Sequence, residues 1–148
     1  MTELSCNSFK PDLHLIKKFE SELSKFPQIE IKEKNYFSDG IYAREITIPA
    51  GVIVIGKKHK TQHLNFLTKG KIVVLTENGM EELTAPLTLV SEEGIKRVGL
   101  SIEETIWITV HPNADNCRDT NEIELRVIDD SELSRDALAI KETMQCLG

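Results

Sequence analysis

Two histidines, His59 and His63, stand four residues apart in the segment from Gly51 to Gly70, directly after the β-branched run Val52 to Ile55. Neutral imidazole is a common ligand for divalent metals, so a pair at this spacing marks a candidate metal site. Lys57 precedes the pair by two residues and Asn65 follows it by two. Further along, Arg97 offers a guanidinium suited to a bidentate grip on a carboxylate or phosphate. His111 ends another β-branched segment that also carries Trp107. Each residue type also has a plainer use. An isolated His pair serves as hydrogen-bonding or exposed side chains more often than as ligands, and Lys57, Lys58 and Lys60 together fit a solvated basic edge. Arg97 could sit on the surface beside a turn, and Arg44 next to Glu45 could form a structural ion pair.

The elements that must position these groups can be read from periodicity. Leu13, Ile16, Phe19, Leu23 and Phe26 recur at helical steps between Pro11 and Pro27, with Glu20 and several lysines on the other faces, which predicts an amphipathic helix. Its apolar stripe could cover one open end of a barrel or meet a second subunit. From Ile29 to about Val127, short runs rich in Val, Ile and Thr are separated by turn formers roughly every ten residues, as in an antiparallel sandwich or jelly roll. Asn78-Gly79 is the best hairpin signal, joining a strand from Lys71 to Thr76 with one starting at Met80. Leu133, Ala137, Ile140 and Met144 then show helical spacing after Asp129-Asp130-Ser131-Glu132, which predicts a short C-terminal helix. The chain thus divides into a helical lead over 1–28, a β region over 29–127 and a helical tail over 128–148.

Alternation within strands says which groups could share a cavity. A strand from His63 to Leu67 puts His63, Asn65 and Leu67 on one face, with Leu64 and Phe66 on the other. In Thr105 to His111, Trp107, Thr109 and His111 share a face opposite Ile106, Ile108 and Val110. If that set is inward, His111 is a third candidate ligand and Trp107 a pocket wall. If it is outward, His111 is a surface turn residue.

The glycine frame is specific. Gly51, Lys57, His59, His63 and Gly70 reproduce the spacing of the first cupin motif, G-x5-H-x-H-x3-E-x6-G, so the chain resembles the cupin superfamily of RmlC-like jelly rolls. Lys57 stands at the first His position and His63 at the Glu position. The second motif fits less well, with Gly94 kept and Arg97 at the place of its His. In the cupin frame His63 faces the barrel interior. Tyr42 to Gly51, Gly56 to Asn65, Ala85-Pro86, Val90-Ser91, Gly94 to Arg97 and Trp107 to His111 are together similar to small cupin-like proteins encoded by tailed bacteriophages. In that group Gln62 is often Glu and Asn35 often His. The resemblance implies a mainly β, single-domain double-stranded β-helix with an N-terminal and a short C-terminal helix, and a homodimer or higher homo-oligomer built through edge strands. Phage origin would place it in the host cytoplasm, interfering with a defence signal.

Composition narrows the function classes. The chain has 148 residues, enough for one domain. Cys6, Cys117 and Cys146 are odd in number and show no C-x-x-C spacing, which argues against a disulfide framework or a cysteine zinc site and points to a reducing cytoplasm. A net charge of −6 gives no footprint for a nucleic-acid polymer. No apolar leader follows Met1, and no run suits a membrane span. Nothing resembles a nucleophile triad or a phosphate-binding glycine loop. Three functions of different class remain. One is a barrel that binds a small anionic ligand, a nucleotide or sugar phosphate, through Lys57, His59, His63, Asn65, Arg97 and Trp107. Another is a metal-dependent enzyme in which His59, His63 and His111 hold Fe, Mn, Ni or Zn. The third is an interaction scaffold with neither ligand nor metal.

Overall fold

The structure is a computed structural model that describes residues 10–132 and 138–141. Among the described residues, ten strands form two five-stranded antiparallel sheets. One sheet runs in the order β1 (Lys32–Ser38), β2 (Ile41–Ile48), β9 (Thr105–Pro112), β4 (His63–Lys69), β7 (Leu87–Ser91). The other runs β10 (Leu138–Lys141), β3 (Val52–Ile55), β8 (Val98–Ser101), β5 (Lys71–Thr76), β6 (Gly79–Thr84). The pairing is nested: β5 with β6, β4 with β7, β3 with β8, and β2 with β9. A long hairpin rolled across two sheets gives this order, which is the jelly roll expected from the turn spacing.

The sandwich closes over Ile48, Val52, Leu67, Ile72, Val74, Leu83 and Ala139. Burying aliphatic side chains of this size contributes about 1.5–3 kcal/mol each. The β5–β6 hairpin forms where Asn78-Gly79 predicted it, with Glu77 and Asn78 as the loop and Gly79 at φ 118. Gly70, at φ 92 between β4 and β5, has no substitute. A Cβ there would lie 2.2 Å from the Glu104 carbonyl oxygen.

Helix α1 (Leu13–Leu23) starts at Asp12, whose carboxylate accepts from Leu15 N at 2.8 Å. It covers neither barrel end. Ile16 and Leu23 pack with Ile53, Ile55 and Val98 on the outer face of the β3–β8 sheet, while Phe19 and Phe26 stay exposed. Glu20, expected on a polar face, lies within the buried one, 3.1 Å from Lys96 Nζ, and both residues are almost wholly buried.

The tail departs from expectation. A helix does follow the strands, but it is α2 (Thr120–Val127), inside the segment assigned to the β region. Ile140, expected on a C-terminal helix, belongs to β10, pairing with Ile53. Leu133, Ala137 and Met144 lie outside the described residues, as do Cys6 and Cys146. Cys117 is a free thiol.

Candidate functional site

Between the sheets lies a cavity of about 560 Å³. Strand parity builds its wall in layers. On the β2–β9–β4 side, Tyr42, His111 and His63 form the outermost row, and Arg44, Thr109 and Asn65 the next. Ile46, Trp107 and Leu67 follow, with Ile48 deepest. The opposite sheet changes in the same direction. Lys57 and Arg97 stand at the polar end, followed by the row Val54, Gly99 and Val74, and then by Ile72. Trp107, Thr109 and His111 all line the cavity, so the odd-numbered set of β9 is the inward one.

The three histidines meet. Ring centroids are 4.2 Å apart for His59 and His63, 5.1 Å for His59 and His111, and 5.2 Å for His63 and His111. His59 is held by its backbone, bridging to Ile128 while its carbonyl accepts from Gly94 N at 3.0 Å. Burial first, and then the charges of His63 and His111, push the His59 pKa down to about 3. Burial, with lesser contributions from His63 and Arg44, pushes His111 down to about 4. His63 is also lowered by burial, against an opposing hydrogen bond to Thr61. All three imidazoles are therefore neutral near pH 7, the form that binds metals.

Their donor pattern is uneven. His63 Nδ1–H donates to the Thr61 carbonyl at 3.0 Å, which leaves the Nε2 lone pair free. His111 Nδ1 is buried with no hydrogen-bond partner among the described residues. Three imidazoles around one ion, with metal–nitrogen bonds of about 2.1 Å, would place ring centroids roughly 4.5–5.3 Å apart. The two separations from His111 fall in that range, whereas His59 and His63, at 4.2 Å, are closer than it allows. Among the described residues no group of three or more His, Cys, Asp or Glu is arranged to hold an ion.

The charged groups divide sharply. Lys57 is not a free cation: its ammonium sits 2.6 Å from Glu124 Oε1, on the α2 helix that lies over the mouth. Arg44 does form an ion pair, with Glu33 across the strand pair at 3.3 Å and not with its neighbour Glu45. Arg97 makes no ion pair among the described residues and stacks over the Trp107 ring at 5.6 Å. Burial pulls its pKa below the usual value, against an opposing attraction from Glu81, yet a guanidinium remains charged at any physiological pH.

Asn65 lines the wall as alternation predicted, but its hydrogen bonds are turned inward. Its Oδ1 accepts from Trp107 Nε1 at 2.9 Å and from Thr109 Oγ1 at 3.0 Å, while Nδ2 donates to Ser91 Oγ. It holds Trp107 in place. Asn35 accepts from Tyr42 OH, and Gln62 points away from the cavity to donate to Glu92 at 3.0 Å. Sequence reasoning passed over Tyr42, Thr109 and the α2 residues. Tyr42 could have been found by extending the parity of Arg44 along β2. Glu124 could not, because it reaches Lys57 across 67 positions.

No protein-family model matches the chain, and no curated protein matches its sequence. Among solved structures it is similar to an RmlC-like cupin from Shewanella frigidimarina NCIMB 400, at TM-score 0.49 and 14% identity over 66% of this chain and 89% of that one. It is also similar to KdgF from Halomonas sp., at 0.47 and 13% over 62% and 91%. An acetylacetone dioxygenase from Acinetobacter johnsonii gives 0.47 and 20% over 55% and 59%. The nested strand pairing decides the architecture. The fold is of the cupin type. Within it, the four motif positions at Lys57, His59, His63 and Arg97 all line one cavity.

Proposed function

We propose that the barrel is a receptor for a small anionic ligand, with Arg97 as its anchor. The observation that carries this is a guanidinium inside the cavity, backed by Trp107 and without a salt bridge among the described residues. A desolvated cation of this kind attracts an anion more strongly than it would in water. Neutral His59, His63 and His111 supply hydrogen bonds at the rim, and Lys57 joins them if Glu124 releases it. The test is mass spectrometry of small molecules released on denaturing protein purified without a His-tag. A released anion, lost in Arg97→Gln, supports the reading; wild type and Arg97→Gln binding the same molecules equally would refute it.

A second reading has its own observation, the unpartnered Nδ1 of His111 beside two neutral imidazoles. Imidazole nitrogens are a ligand type for Fe, Mn, Ni or Zn, and such an ion, if held by His59, His63 and His111 after their rings rearranged, would supply Lewis-acid chemistry. His63, oriented by Thr61, would present Nε2, and Arg97 would orient an anionic substrate. Elemental analysis tests this: a stoichiometric transition metal lost in His59→Ala supports it, and a metal content unchanged in that variant refutes it.

The resemblance to phage-encoded proteins extends the first reading to capture of a host defence signal in the cytoplasm. It also favours a homodimer, which light scattering at micromolar concentration would refute by returning a monomer. No helix among the described residues is long and apolar enough to cross a membrane.

A further inference from the structure

We propose that the ligand is an amphiphilic monocarboxylate, its carboxylate on Arg97 and its hydrocarbon or aryl body on the aliphatic floor of the barrel. This rests on the reading of the cavity as an anion receptor and narrows it from a nucleotide or sugar phosphate.

Arg44 is paired with Glu33 and Lys57 with Glu124, which leaves Arg97 as the cation without a salt bridge among the described lining residues, attracted at longer range by Glu81. One uncompensated positive charge suits a monoanion, whereas a phosphate monoester brings about −1.5 to −2 near neutral pH. Peptide amides could have supplied the rest, since Thr120 and Asn121 at the start of α2 face the cavity. The Asn121 amide is already used, because the Asp119 carboxylate accepts from it at 3.0 Å and from the Glu122 amide at 3.4 Å.

The lining also grades from polar to aliphatic along the barrel. Below Arg97 and Trp107 both sheets turn aliphatic together, with Ile46 and Ile48 on one side and Val54, Val74 and Ile72 on the other. A ribose or sugar ring pushed into that space would lose its hydration without finding partners for its hydroxyls. A hydrocarbon chain loses nothing there. Gly99 deepens the floor: a Cβ at this position would come 2.9 Å from Ile72 Cδ1 and 3.4 Å from Val54 Cγ2. The cavity's volume of about 560 Å³ lies within the roughly 300–1,000 Å³ usual for small-molecule sites.

Trp107 is the single tryptophan of the chain, so its fluorescence reports on the cavity directly. Full-length protein treated with chelator is titrated with octanoate, 3-phenylpropanoate, octanamide, ribose 5-phosphate and AMP. Saturable emission changes are expected with the two carboxylates, at least about tenfold weaker with octanamide, and absent with the phosphates. Arg97→Gln, folded by circular dichroism, should lose about tenfold for octanoate. Gly99→Ala narrows the floor without touching Arg97 and should weaken octanoate more than butanoate. Saturation by AMP or ribose 5-phosphate without the carboxylates would overturn the monocarboxylate while leaving the anion receptor standing. Octanamide binding as well as octanoate, or no anion binding at all, would overturn both.

Discussion

Acid should destabilise this protein through the histidine cluster, and the size of the effect follows from the cavity. An unperturbed imidazole titrates near 6.5, whereas His59 and His111 are held down to about 3 and about 4, chiefly by burial. In the folded state they stay neutral through mildly acidic pH, while in the unfolded chain they take up protons below pH 6.5. The unfolded state then binds more protons, so stability is complete above about pH 7.5 and falls as the pH drops through 6.5. At pH 5 each group is about 1.5 units below its unfolded pKa, and at about 1.36 kcal/mol per unit each costs about 2 kcal/mol. The pair together should cost about 4 kcal/mol, with His63 adding in the same direction. The figure at pH 5 needs only that both folded values lie below 5. Urea denaturation at pH 8 and pH 5 in the presence of chelator measures it, with His59→Asn/His111→Asn as the comparison. The wild type should lose about 4 kcal/mol more than the double variant between the two pH values. If both proteins lose the same amount, the imidazoles protonate freely in the folded state and the argument from burial fails.

Three other outcomes follow from contacts away from the cavity or behind its wall. Lys96→Met, which removes the ion pair with Glu20 beneath α1, should destabilise the protein in chemical denaturation, and Glu20→Leu/Lys96→Met should lose less than the two single variants summed; additive losses would contradict the pairing. Gly70→Ala should destabilise by more than about 4 kcal/mol or fail to fold, because its Cβ would meet the Glu104 backbone, whereas Gly40→Ala, with open space around it, should cost only the strain of its positive φ, about 1–2 kcal/mol. Asn65→Leu removes the acceptor of both Trp107 Nε1 and Thr109 Oγ1 and should cost about 1–3 kcal/mol with an altered Trp107 emission; unchanged emission would mean that Asn65 does not orient the indole.

Local signals carried the β sandwich and much of the cavity wall. In β4 the alternation of His63, Asn65 and Leu67 against Leu64 and Phe66 is a property of the pleat, and burial follows it residue by residue. The same rule left β9 undecided, because Trp107, Thr109 and His111 are as mixed in polarity as Ile106, Ile108 and Val110 are apolar, and an apolar outer face on a sandwich runs against expectation. The tail was misread for a related reason. Leu133, Ala137 and Ile140 have helical spacing, but Ile140 pairs with Ile53 as part of a four-residue strand whose formation depends on the free edge of β3. Helix α2 buries one residue, Ile123, so its eight residues carry almost no period. Long-range hydrogen bonds fix it instead, from Lys60 N to the Val127 carbonyl and from Asp129 N to the Lys58 carbonyl.

The motif positions show where residue type stops being informative. Lys57 at a histidine position and Arg97 at another both read as cations set beside a metal vacancy, with equal claims on an anion. In the fold they differ, because α2 brings Glu124 to Lys57 and nothing comparable reaches Arg97 among the described residues. His111, which belongs to neither motif, enters the cluster solely because β9 lies between β2 and β4 and turns its odd residues inward. Gln62, inside the first motif, faces Glu92 outside the cavity and adds nothing to the lining. The charge that a ligand meets is therefore set by which partners arrive from distant strands and helices, and at this site those partners single out Arg97.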